Sequence, residues 1–255
     1  MKVLPLRTAP PAVATKRRHA PEPGSYETYK PCLRWEFGFT CAFCLLHERD
    51  LDELGSGTLG LFWVEHRIPQ DDDPDLADAY SNCYWSCGKC NGPRKKTPVT
   101  GPEGERLLDP CRDAWAEHFR MDGDHLVPLD ADADAAYTWE AYRIDAPLKV
   151  AVRAKRRKAL GRALDLLDLG ARQRKDALRT AETTAPDERP HAIERAESFR
   201  SAMLMAREIV LRYAPIPPSA PSACRCSGAA PMTLPDWLER QLCEVPGVAP
   251  EPPSR

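Results

Sequence analysis

No stretch of this chain approaches the roughly 20 consecutive apolar residues that a membrane-spanning helix needs, so no membrane span is expected. It also lacks a Gly-x4-Gly-Lys loop for cradling nucleotide phosphates. The first residues, Met1 to Arg7, hold an apolar run too short and too interrupted for a secretion signal. Charge of one sign is missing too. Thirty-six Lys and Arg stand against 38 Asp and Glu, a net charge of -2, so bulk charge marks no polyanion binder and only a local basic face could serve one. Aromatic residues are scarce at 7%, against 42% apolar overall, which suits one good core in 255 residues with substantial stretches left unpacked.

Proline and cysteine are plentiful instead. The 26 prolines reinforce the expectation of unpacked stretches, and ten cysteines in a long chain without a secretion signal point away from a disulfide frame. A reducing cytoplasm and metal-bound thiolates are the expectation.

Four segments follow from composition. Residues 1–28, with Pro10-Pro11, Lys16-Arg17-Arg18 and Pro21-Glu-Pro23, read as a flexible basic arm. Residues 29–120 hold every candidate site, with a strand expected over Leu59–Ile68, a solvated acidic loop at Asp71–Asp75, and a short helix beyond Cys90-Asn91 carrying Lys95 and Lys96. Residues 121–213 combine a loosely alternating stretch (Leu126, Val127, Ala136, Tyr137, Trp139, Tyr142), read as a hairpin, with two helices. The first is predicted over Pro147–Ala181, with a stripe of Leu160, Leu164, Leu167, Ala171 and Leu178. The second spans Glu188–Tyr213, with Ile193, Ala196, Phe199, Met203 and Ile209 available for packing. The two should pair antiparallel. Residues 214–255 form a Pro/Ala-rich tail with one short amphipathic stretch around Trp237.

The strongest local signal is a doubled knuckle, Cys41-x2-Cys44 and Cys87-x2-Cys90. A Cys-x2-Cys turn places two sulfurs on one side of a tight loop, and two such turns close a tetrahedral four-thiolate site that suits structural Zn2+. The plainer use of such a site is a zinc-stabilised interaction module with no chemistry. His47 is not needed as a ligand beside a full thiolate set and reads as a surface residue. Cys32, Cys83 and Cys111 read as buried hydrophobes. Cys224 and Cys226 read as a tail thiol pair, with a second metal site near them and Cys243 the weaker alternative.

Between and after the knuckles lie Glu65-His66, Asn82 and Asn91. The order Cys41-x2-Cys44, Val64-Glu65-His66-Arg-Ile-Pro69, Asn82-x4-Cys87-x2-Cys90-Asn91, then Lys95 or Lys96, resembles the HNH endonucleases, whose ββα-metal unit is often stapled by such a pair of knuckles. Leu107-Leu-Asp109-Pro110 and Trp115-x2-His118-Phe119 are similar to a bacterial branch that includes nucleases paired with ATPases or retrons in phage defence. The resemblance covers residues 30 to 120 and, more loosely, the first long helix. It implies an α+β fold: a zinc-stapled ββα-metal nuclease core followed by a mainly helical C-terminal region.

By position, the resemblance makes His66 the general base, Glu65 and Asn91 the oxygen ligands of a catalytic Mg2+ or Mn2+, and Asn82 a residue that positions the loop and imidazole. Many relatives carry His or Asp where this chain has Glu65, and His where it has Asn91, so loose metal affinity without substrate is expected. His118 could add a metal ligand or contact phosphate, or simply cap or pack a helix turn, and stands outside the core set. For holding DNA, the expected contacts are Arg94, Lys95 and Lys96 beside the cut. Beyond them a basic run from Lys149 to Arg179 offers Arg153, Arg156 and Arg157 foremost.

The functional expectation is therefore a cytoplasmic, metal-dependent endonuclease acting on DNA, double-stranded by default. The alternatives are a non-catalytic zinc-stapled module binding nucleic acid or protein, an RNA-cleaving nuclease, or a defence nuclease gated by an ATPase or other partner.

Overall fold

A computed structural model describes residues 9–52, 62–94, 97–213 and 226. The chain divides within its longest helix into two compact units. One is built on residues 6–157 with 219–232, the other on 158–218 with terminal segments.

The first unit begins with helix α1 (Lys30–Glu36), opened by Pro31 in its first turn, where proline's missing N–H costs nothing. Helix α2 (Glu48–Asp52) follows. Strands β1 (Phe62–His66) and β2 (Cys83–Cys87) pair antiparallel, from Phe62 opposite Cys87 to His66 opposite Cys83. Helix α3 (Gly88–Arg94) continues directly from β2 and packs on both strands, giving a ββα order. Helix α4 (Trp115–His118) then leads into a hairpin of β3 (Phe119–Asp122) and β4 (His125–Pro128), turned tightly at Gly123, whose φ of 60° suits a residue without Cβ.

The few aromatic residues are concentrated where they matter. Phe37, Phe43, Tyr84, Trp115, Phe119 and Tyr142 are buried together, with Phe43 stacked on Tyr142 at 3.8 Å between ring centres. Such pairs add about 0.5–1.5 kcal/mol beyond their buried area, which lets a small aromatic set build this core.

Two expectations change here. The segment from residue 9 to 28 is packed rather than a loose arm: Arg17 donates to Glu36 at 3.0 Å and to the Cys83 carbonyl at 2.6 Å. Its guanidinium also lies over the rings of Tyr84, Tyr80 and Phe37. Backbone bonds from Thr15 to Pro110 and from Ala116 to Pro11 fasten the segment on either side. A basic residue that meets a buried carboxylate and aromatic faces is stabilised inside, whatever its segment's composition suggests. Second, the alternation over 120–146 is a hairpin only as far as Pro128. Ala136, Tyr137 and Trp139 lie on helix α5 (Ala133–Ala141), whose N-cap Asp132 accepts from the Ala135 amide. The strand expected over Leu59–Ile68 is Phe62–His66, and its earlier residues lie outside the described ones.

In the second unit, the C-terminal part of α6 (Pro147–Thr183) and helix α7 (Arg189–Arg212) meet the predicted boundaries closely. The buried face includes Leu160, Ala196 and Met203 of the expected stripes, with Leu164, Leu167, Leu178, Phe199 and Ile209 half-buried, but small residues outside those stripes make up most of the rest. On α6 it runs Leu160, Ala163, Gly170, Ala177 and Ala181, with Leu167 half-buried, while Ala171 is exposed. On α7 it runs Ala192, Ala196, Met203, Ala206 and Val210, and Ile193 is exposed. The spacing alternates three and four, as in a coiled-coil seam, but small residues rather than large ones occupy most of it. Gly170 shows why: a Cβ there would lie 2.6 Å from Met203 Cγ.

Candidate active site

The first knuckle is a tight loop closed by a bridge between Thr40 and His47 and by the Cys41 amide donating to the Leu46 carbonyl at 2.7 Å. Leu45 takes φ of 63°, a left-handed conformation that an L-residue adopts at a cost of about 1–2 kcal/mol. The second knuckle spans the end of β2 and the start of α3, which places Cys87 and Cys90 on one side of that junction. All four sulfurs are buried and lie within 4.8 Å of one another, with Cys44 and Cys87 Sγ 3.6 Å apart. Four thiolates bonded to zinc at ~2.3 Å would stand about 3.8 Å apart, so the separation fits a metal and is far too long for a disulfide. The four cysteines thus form a centre able to hold a structural metal such as zinc.

Cations surround this centre. Lys149 Nζ donates to Cys90 Sγ at 3.0 Å and to the Tyr142 and Arg143 carbonyls. Burial opposes its charge, but Cys90, Cys44 and Cys87 more than offset that and raise its pKa. Arg153 donates to the Cys44, Ile144 and Asp124 carbonyls and pairs with Asp145. Arg156 pairs with buried Asp50 at 2.7 Å and donates to the Leu45 carbonyl.

These arginines revise the nucleic-acid expectation. Arg153 and Arg156 are buried, each with its guanidinium committed to protein oxygens, so neither presents itself to a phosphate. Arg94 is buried as well, donating to the carbonyls of Arg67 and Thr97. Arg157 is exposed but forked onto Asp124 through two bonds of 2.6 and 2.9 Å. Lys95 and Lys96 lie outside the described residues. His47 is buried rather than at the surface, and burial, helped by Arg156 and Arg49, pushes its pKa down to about 3. His118 Nδ1 lies 2.7 Å from a carboxylate oxygen of Asp132, the N-cap of α5, and His118 does not line the cavity beside Glu65 and His66.

Beside the centre lies a cavity of about 580 Å³ lined by Glu65, His66 and Asn91, together with Tyr26, Lys30 and Trp63. Glu65 and His66 are neighbours on a strand, where side chains ordinarily diverge, yet both line it, as do Trp63 and Val64 before them. The chain there is turned by buried Asn82, which accepts from the Ile68 amide and donates to the Ile68 and Leu76 carbonyls. The same tie holds the loop that carries Ala77. The Ala77 carbonyl accepts from His66 Nε2 at 2.8 Å; a carbonyl can only accept, so Nε2 carries the proton and Nδ1 the lone pair. The ring is half-buried, its centre 4.7 Å from that of the near-perpendicular Tyr26 ring. Burial lowers its pKa, against smaller opposing effects of the Ala77 bond and Asp78. The imidazole is therefore neutral near pH 7.

Glu65 is buried beside Tyr142, whose pKa is raised first by burial and then by the Glu65 carboxylate. Asn91 donates from Nδ2 to the Val64 carbonyl at 3.4 Å, joining α3 to β1 and keeping its carbonyl oxygen as an acceptor. Among the described residues, close clusters of three or more His, Cys, Asp or Glu occur twice, and neither is at this cavity. The side-chain oxygen donors that line the cavity are the Glu65, Glu27 and Asp71 carboxylates, the Asn91 and Gln70 amides and the Tyr26 hydroxyl, with Glu65 and Asn91 placed together by β1 and α3. Sequence reasoning missed Tyr26 and Lys30, which reach the cavity from the segment and helix before the first knuckle. No spacing pattern links them to residues 63–66.

Comparison of the chain with protein-family models, with curated proteins and with solved structures gives no match. No helix among the described residues is long and apolar enough to cross a membrane.

Proposed function

We propose that the protein is an HNH-type endonuclease that hydrolyses DNA phosphodiester bonds with one divalent ion, its ββα arrangement stapled by zinc on Cys41, Cys44, Cys87 and Cys90. One observation carries this reading: Glu65, His66 and Asn91 line a single cavity on β1 and α3, beside a four-cysteine centre.

In this reading His66 takes a proton from water at Nδ1 as the water approaches phosphorus. Its lowered pKa keeps it in the base form at neutral pH. Asn82 acts as a positioning residue, since it fixes the loop whose carbonyl sets the His66 tautomer. Glu65 and Asn91 supply the hard oxygen donors that Mg2+ or Mn2+ prefers. Such an ion, when bound, supplies positive charge to the phosphate and the leaving oxygen. Lys30, at the rim with its ammonium 5.9 Å from the Trp63 ring, offers a cation to the nucleic-acid backbone.

Incubation with supercoiled plasmid in Mg2+ or Mn2+, beside EDTA and a His66→Ala control, tests the reading. Metal-dependent cleavage lost in His66→Ala is expected, and cleavage that is unchanged in the variant overturns the mechanism. RNA substrates alongside, and addition of an ATPase partner, separate the RNA-cleaving and partner-gated forms. A second reading, a zinc-stapled binding module without chemistry, is favoured by the cavity's lack, among the described residues, of any close cluster of three or more His, Cys, Asp or Glu. It predicts DNA binding indifferent to His66 and to added metal.

A further inference from the structure

A second group of soft donors lies away from both the four-cysteine centre and the cavity. His19 comes from the segment before α1, Cys32 from the first turn of α1, and Cys226 from near the other end of the chain. Their donor atoms all lie within 4.8 Å of one another, and His19 Nδ1 is 3.2 Å from Cys226 Sγ. These three belong to one compact unit. Donors bound to one tetrahedral zinc at ~2.0–2.3 Å stand about 3.5–3.8 Å apart, so only small adjustments close this set on an ion.

The set is also held in place. Glu36, one turn beyond Cys32 on α1, accepts from the backbone amides of Arg18 and His19 at 2.6 and 3.2 Å and from the Arg17 guanidinium. That clamp fixes the peptide of His19 against the helix that carries Cys32. Cys32 is buried at 4% exposure, whereas His19 and Cys226 are half-buried, so the group faces a partly open position from which an ion can enter. Two sulfurs and an imidazole are a soft-to-borderline donor set. They select Zn2+ over Mg2+ or Ca2+, which want hard oxygen.

We propose that His19, Cys32 and Cys226 form a second zinc site, three protein donors with a fourth position open, which ties the C-terminal region to the α1 end of the first unit. The site requires nothing of the proposed nuclease reaction. It differs from the first centre in every relevant respect: its donors come from three distant segments, include a nitrogen, and are only partly enclosed.

The test is zinc counting on the full-length protein, purified under reducing conditions and equilibrated with Zn2+, by elemental analysis against protein concentration. Two equivalents per chain are expected, falling to one in Cys226→Ala and in His19→Ala, both at half-buried positions. Cys32→Ala is expected to do the same, but its burial makes the other two the deciding variants. Replacement by Co2+ adds a spectroscopic check. The second equivalent should contribute weaker sulfur-to-cobalt charge transfer than the first, since it carries two thiolates rather than four. One equivalent in the wild type, or two that persist in both deciding variants, overturns the site. A Cys32–Cys226 disulfide found by mass spectrometry of the protein as isolated overturns it as well.

Discussion

The four-cysteine unit and the helical pair are built on opposite plans. In the first, order comes from polar groups meeting across long stretches of chain. Arg17 meets Glu36 and the Cys83 carbonyl, Arg156 meets Asp50 and Leu45, and four sulfurs meet from two distant knuckles. In the second, order comes from a repeating seam of small residues, Ala163, Gly170, Ala177 and Ala181 against Ala196, Met203 and Ala206. Few contacts in the first are dispensable, because losing one takes a partner from a buried charge or a donor from the four-cysteine centre. Many in the second are interchangeable, since the seam asks mainly for size.

Cys87→Ser should break this contrast most severely. Structural zinc contributes roughly 10–16 kcal/mol in small sites, as much as a domain's whole stability, so loss of one thiolate should unfold the first unit. The helical pair should remain. Zinc content falling while a large part of the far-ultraviolet helical signal persists is the expected result. Arg156→Ala comes next: it strands the Asp50 carboxylate in the interior and should cost about 3–5 kcal/mol, read as a lowered midpoint in urea. The same change at exposed Arg172, ion-paired to Asp168 in solvent, should cost under about 1 kcal/mol.

A smaller effect belongs to pH. Burial lowers the His66 pKa, so at acid pH the ring must be protonated before it can lose its role. Cleavage should hold steady from neutrality down past the ordinary histidine value of ~6.5 and fall about tenfold per unit only below that. An acid limb above pH 6.5 would contradict the burial effect. The sign for stability is the same: the folded state prefers neutral His66, and that preference is present above the unfolded value and lost as pH drops. Smallest of all should be Gly170→Ala in the helical pair. A better helix former gains about 1 kcal/mol, but Met203 must move from Cγ outward to clear the new Cβ, at a cost of about 1 kcal/mol or more. The thermal midpoint should therefore move by only a few degrees, downward rather than upward.

The contrast also explains what the sequence made legible. The Cys-x2-Cys pairs announce themselves because a metal dictates local spacing, and the four sulfurs do converge. The long helices show their boundaries through Pro147, Pro190 and sustained periodicity. The buried face of those helices is legible at Leu160, Ala196 and Met203, but its alanines and glycine carry little hydrophobic signal, and Ala171 and Ile193 on the expected stripes are exposed. Arg153 and Arg156 looked like a solvent-facing basic run because their partners, Asp145, Asp50 and carbonyls of the first knuckle, are remote in sequence. Glu65, His66, Asn82 and Asn91 were marked by resemblance, and the structure brings Glu65, His66 and Asn91 to one cavity with Asn82 holding the adjoining loop. Tyr26 on the His66 ring had no such marker.

Lys149 on Cys90 has a consequence for the time course of synthesis. All four sulfurs of the centre have left the ribosome's active site by residue 90, but their ammonium partner is polymerised 59 residues later, and the guanidinium that reaches the Leu45 carbonyl follows that knuckle by 111. At about 5–20 residues per second, the nascent chain exposes a complete set of thiols for several seconds before its internal counter-charges exist. An ion captured during that interval would reach the growing chain before Lys149, Arg153 and Arg156 arrive to enclose it.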